Sequence, residues 1–144
     1  MKVTIDFNVD GDVAKKGSVR TFVRGRRAIM VPMDLKLAPW TKRVMIAATK
    51  ARGLRPLLDG AVEVRATFTM RRPHDHYLRG VLRDTAPELP ILRTGDLDKM
   101  ARALLDAMSG VIYVDDSQVV TTIMHKRFAL AGAETCSAVR VVAL

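Results

Sequence analysis

Two acidic clusters, Asp96-Leu97-Asp98 and Asp115-Asp116, stand in a chain whose 24 lysines and arginines outnumber its 15 aspartates and glutamates. Carboxylates brought together repel one another. A divalent cation relieves that repulsion, and a ligand set made only of oxygen suits magnesium or manganese. The net charge of +9 points to a polyanionic partner. A metal site in a protein that binds a phosphate polymer points in turn to metal-assisted phosphodiester cleavage.

The elements between the clusters decide whether they can meet. Leu97–Ser109 is predicted as a helix, with Leu97, Met100, Ala101, Leu104 and Met108 forming its apolar stripe and Gly110 ending it. Asp96 falls at the cap and Asp98 in the first turn, where acids also serve as ordinary complements of the helix dipole. About three helical turns span roughly 20 Å. A return stretch of about four to six extended residues covers a similar length. Asp115-Asp116 is therefore expected back beside Asp96 and Asp98. The pair also fits a plain turn, and the residues alone leave the metal and turn readings open. Arg102 follows Asp98 by one helical turn, and Asp106 follows Arg102 likewise. They form either an ion-pair ladder or, at Arg102, a cation placed to stabilise charge developing on a phosphate. Lys126 is either a second such cation or a solvated strand end.

The remaining elements are a supporting frame. Val3, Ile5, Phe7 and Val9 alternate in a first strand, ended by Asp10-Gly11-Asp12. Val19–Val23 and Ala28–Val31 read as a hairpin with Arg24-Gly25-Arg26-Arg27 at its tip. A helix is expected over Leu35–Arg52, with Asp34 as cap or Pro39 in the first turn, and with Gly53 as its stop. Ala61–Met70, Gln118–Arg127 and Thr135–Ala143 are further strands. The prediction is a single α+β domain over residues 1–144. It has a mixed, largely antiparallel sheet, two main helices and the order β-ββ-α-β-α-β-β. Residues 71–95 carry Pro73, Pro87, Pro90 and five arginines without a clear period, and read as an exposed, mobile basic loop.

Other chemistries find little support. The chain has one cysteine, Cys136, expected to be a buried structural thiol. His74 and His76 have no further paired His or Cys for a zinc site. No phosphate-binding glycine loop is present. Asp6, Asp10 and Asp12 interrupt any signal-like apolar opening, and no run reaches the roughly 18 apolar residues of a membrane span. A soluble, cytoplasmic protein with no membrane partner is expected. Lys15, Lys16, Arg20, Arg24, Arg26 and Arg27 gather around the first hairpin, as phosphate contacts or as a solvated tip.

The long pattern D-L-D-K-M-A-R-A-L-L-D-A-M-S-G-V-I-Y-V-D-D-S-Q-V-V over 96–120, with Lys126 on the next strand, resembles the RusA family of Holliday junction resolvases. K-K-G-S-V-R at 15–20 is similar to that family's basic N-terminal segment. The resemblance implies a homodimeric, magnesium-dependent endonuclease, with manganese able to substitute. Such an enzyme acts on four-way DNA junctions in recombination and repair, in a bacterial cell or its phage. It makes paired nicks with 5′-phosphate and 3′-hydroxyl ends. The family's acids map onto Asp96, Asp98 and Asp116, with Asp115 adjacent. Lys99 stands where the better known D-L-D-N-L-x-K pattern has Asn, and Arg102 where it has Lys. Arg102 keeps the charge but does not readily release a proton, so an electrostatic role is implied. Junction arms would lie on the hairpin residues above, on Arg71 and Arg72, and on Lys99 and Lys126. Two alternatives are a nuclease for branched or flap DNA and a non-catalytic basic DNA-binding protein.

Overall fold

The period-two stretches at the two ends of the chain and in its middle become neighbouring strands. A computed structural model describes all residues except Met1, Ser18, Met33 and Leu92, and all of their side chains except those of Val19 and Pro32. Ser18 of the basic opening motif therefore lies outside the described residues. The elements in chain order are β1 (Thr4–Asp10), β2 (Val19–Arg24), β3 (Arg27–Pro32), α1 (Leu37–Arg52), β4 (Val62–Met70), β5 (Tyr77–Leu78), β6 (Val81–Leu82), α2 (Leu97–Met108), β7 (Val119–Phe128) and β8 (Cys136–Ala143). The α+β class, the two main helices and the expected order are all found.

The main sheet has four strands in the order β1-β8-β4-β7. Its β1–β8 and β8–β4 pairs are antiparallel, and its β4–β7 pair is parallel. A parallel pair needs a crossover, and α2 lies in it. One face of the sheet carries Ile5, Phe7, Val9, Val62, Val64, Phe68, Val139 and Val141, all buried. Trp40, Val44 and Ala48 of α1 and Met100, Leu104 and Met108 of α2 close over that face as one cluster. α1 packs on β1 and on α2, while α2 packs on β7. The opposite face is polar. There Arg140 of β8 holds Asp6 of β1 through Nε and Nη2, at 2.7 and 3.0 Å.

β7 gives the site its frame. Its register sets Thr122 beside Val64, Met124 beside Ala66 and Lys126 beside Phe68. These three residues therefore face the helices, since alternate residues share one face. The β2–β3 hairpin pairs only with itself, and every residue from Arg20 to Ala28 is exposed.

Residues 71–95 have more local structure than the sequence shows. Tyr77–Leu78 and Val81–Leu82 form a small hairpin, with Arg79 and Gly80 both at positive φ (50° and 79°) in its turn. The guanidinium of Arg72 lies 4.1 Å from the ring centroid of Phe128 and donates to the carbonyl of Pro87 at 2.6 Å. His76 meets the same ring edge-on. Arg72 thus clasps the segment to the end of β7.

Candidate metal centre

α2 begins where the sequence places it. Asp96 is its N-cap and Asp98 lies in its first turn. The Asp96 carboxylate does not cap the helix; Lys99 Nζ binds it at 3.1 Å. Simple capping therefore does not account for this acid. Asp106 pairs with Lys16 from the segment after β1, and among the described residues no ion pair joins Arg102 to Asp98 or Asp106. Arg102 instead borders a groove between α2 and β7, lined by Leu97, Asp98, Ala101, Arg102, Leu105, Asp116, Thr122 and Met124. Asp98 and Asp116 thus share one groove with Arg102, and Asp96 stands outside that lining.

The link to the second acidic pair departs from expectation. No return strand follows α2. Gly110 turns the chain at φ 72°, and its N–H donates to the Tyr113 carbonyl at 2.8 Å. Ile112 and Tyr113 are then fully buried, and the Tyr113 hydroxyl donates to the Leu105 carbonyl at 2.9 Å. Apolar residues in this connection plug the C-terminal end of α2 instead of extending alongside it. The route back is β7. As a result Asp116 sits close enough to feel Asp106, a residue two helical turns along α2 from Asp98. The residue that β7 carries to the N-terminal end of α2 is Lys126.

The two acids of the pair differ. Asp115 is the N-cap of a short 3-10 turn, Asp116–Gln118. Its carboxylate accepts from Ser117 Oγ at 3.1 Å, while its own N–H donates to Gln118 Oε1 at 2.9 Å. The Gln118 amide also donates to the carbonyls of Leu58 and Gly60, at 2.9 and 2.8 Å, which ties the turn to the start of β4. The D-x-x-Q spacing of this capping box is a local signal carried by the sequence itself. A hydrogen bond between the two carboxyls holds Asp115 below the usual carboxylate range and pushes Asp116 above it. Lost hydration and the nearby Asp106 raise Asp116 further. Burial holds the Tyr113 hydroxyl well above its usual range, with Asp116 and Asp106 adding to the effect.

Among the described residues, no three Asp, Glu, His or Cys side chains are gathered closely enough to hold a metal ion. The donor chemistry still fits a hard cation. The groove offers carboxylate oxygens alone, and Asp116 is crowded by like charge that a cation would neutralise.

The remaining basic candidates separate into exposed and engaged groups. Arg20, Arg24, Arg26 and Arg27 lie on the exposed hairpin, and Arg71, directly after β4, is exposed. Arg72 is held by Phe128 and Pro87. Lys16 pairs with Asp106 and Lys99 with Asp96. The backbone N–H of Lys15 donates to Asp34 at 2.9 Å, and its side chain lies across Gly95. Lys126 Nζ donates to the Gly95 carbonyl at 2.9 Å and to Thr94 Oγ1 at 3.3 Å. His74 is exposed, and Cys136 is free and half-buried. No helix is long and apolar enough to cross a membrane among the described residues.

No curated protein sequence matches the chain. The family model described as endodeoxyribonuclease RusA matches residues 12–135, from the basic segment after β1 to the residue before β8. That span holds both acidic clusters and the groove between them. The chain belongs to the RusA family of endodeoxyribonucleases.

Proposed function

We propose that the protein is a Mg²⁺-dependent endonuclease that resolves four-way DNA junctions by paired nicks. The observation that carries this reading is the single groove bordered by Asp98, Arg102 and Asp116 in a chain of this family. Asp98 and Asp116 would hold the ion, with Asp96 and Asp115 adjacent to them. A bound Mg²⁺, or Mn²⁺ in its place, supplies Lewis acidity that lowers the pKa of a water and neutralises phosphate charge.

The chain's own residues do the rest. Arg102 keeps a fixed positive charge at the groove, which favours the charge that develops on the phosphate during displacement. Its guanidinium does not act as a proton donor at neutral pH. Leu97, Leu105 and Met124 line the groove between these exposed charges. The exposed arginines of β2–β3 hold the arms of the junction through phosphates, which gives affinity without sequence reading. A two-fold dimer would present two such grooves to opposing strands. Work of this kind belongs to the cytoplasm of a bacterium, as a bacterial or phage function.

The test is cleavage of a synthetic four-way junction, a flap and a linear duplex at one salt concentration, with Mg²⁺ titrated from zero. Opposed nicks on the junction that require the metal are expected. Equal rates on linear duplex exclude junction resolution, and cleavage at full rate in a chelator removes the metal.

A further inference from the structure

We infer that Lys126 is a positioning residue for Asp98, the metal-holding acid of α2, acting through the chain just before Asp96 and not through DNA phosphate. The inference rests on the metal reading above.

Two ties converge on residues 94–95, and a third holds the first turn of α2. Lys126 rises from the helix-facing side of β7, in the same row as Thr122 and Met124. Its ammonium donates to the Gly95 carbonyl at 2.9 Å and to Thr94 Oγ1 at 3.3 Å. Thr94 Oγ1 in turn donates to the carbonyl of Pro90, a buried residue, at 2.9 Å. From above, the stem of Lys15 crosses Gly95 so closely that an added Cβ would lie 2.5 Å from Lys15 Cδ and 3.2 Å from Met100 Cε. Gly95 itself has φ +90°, a conformation that side chains other than glycine's rarely adopt. The backbone N–H of Lys16 donates to the Lys99 carbonyl at 3.0 Å, which fixes the first turn from a third direction.

Such a lock has a chemical purpose. Asp98 lies in the helical turn that the held peptide starts, and a cation gains most from a carboxylate already fixed in place. Residues that orient metal ligands typically change metal affinity by about 10- to 100-fold when removed. Half-buried beneath the lead-in, the Lys126 ammonium is committed to two acceptors of its own chain, which suits a brace better than a phosphate contact.

Two accounts of Lys126 predict opposite signs. If the lysine were merely a nearby positive charge, its removal would tighten cation binding. As a brace, its removal weakens cation binding. The experiment measures Mn²⁺ binding by calorimetry on the DNA-free protein, and four-way junction binding by anisotropy in chelator over a salt series. Lys126→Met is expected to weaken Mn²⁺ about tenfold or more and to leave the salt slope of junction binding unchanged. Thr94→Val retains every charge and is expected to weaken Mn²⁺ by about threefold or more; it decides the matter if Lys126→Met does not fold. Unchanged or tighter Mn²⁺ binding overturns the inference. So does a salt slope smaller by about 0.9, the loss of one phosphate contact. A wild-type protein that binds no Mn²⁺ removes the metal reading and the inference with it. A wild type that binds Mn²⁺ no better than its variants removes the inference alone.

Discussion

At the acidic turn, Asp115 and Gln118 hold each other across three residues of chain, whereas the peptide before Asp96 is held by a lysine 31 residues away. The turn is a local device. Its bonds run largely between neighbours, with Gln118 reaching out to Leu58 and Gly60. The lead-in to α2 is a tertiary device, assembled from β7, from the segment after β1 and from Pro90. The turn's main bonds need no distant element. Those of the α2 end need β4 and β7 in register, which brings Lys126 to it. A centre built from one local and one tertiary half should therefore lose its tertiary half first under stress.

The largest stability effect should come from breaking the tertiary half. Gly95→Ala adds a methyl where Lys15 already lies, at a backbone angle alanine disfavours. We expect a loss of about 2 kcal/mol in urea unfolding. Part of that loss should return in a Lys15→Ala background, where the crossing stem is gone. A loss below about 0.5 kcal/mol would show that the lead-in yields easily and is no lock.

Gln118→Ala breaks the local half and should have a smaller effect, about 1 kcal/mol. The amide of Met100, bonded to the Asp96 carbonyl at 3.2 Å, should keep its hydrogen-exchange protection in that variant. Loss of that protection would mean the two ends are not separate devices.

The smallest effect is expected on the open sheet face, far from both. Arg140 holds Asp6 below the usual carboxylate range, chiefly by hydrogen bonding. A depressed folded pKa gives stability that is present above the unfolded value, near 3.9, and is lost as pH falls through the folded value. Asp6→Asn should lower Tm at pH 7 by no more than about 2 °C, as befits an exposed pair. The difference from wild type should vanish in acid below the ordinary carboxylate range. A difference that persists there would point to packing instead of charge.

The same division explains what could be read from the chain. The strands, α2 and its N-cap follow from alternation and helical spacing, which are local. The capping box at 115–118 was equally local and readable. Lys126, by contrast, is a lone strand lysine in sequence, and its partners follow only from a parallel strand register. The small β5–β6 hairpin leaves little trace in the sequence because its strands are two residues long and Arg79, not the more usual Asn or Asp, takes the first positive φ. The expected return strand fails because Gly110 turns the chain at positive φ and Ile112 and Tyr113 are buried there, with the Tyr113 hydroxyl bonded to Leu105.

The central claim is that acids from these two devices act as one centre. The direct measurement is the rate of four-way junction cleavage in Mg²⁺ for Asp98→Asn, Asp116→Asn and the double variant, with Asp6→Asn as the control. Each single change should slow cleavage by about a hundredfold or more. The double should be little worse than either single, because residues that act as a unit are not additive. Single variants that cleave at the wild-type rate, or losses that multiply as for independent sites, would contradict the account.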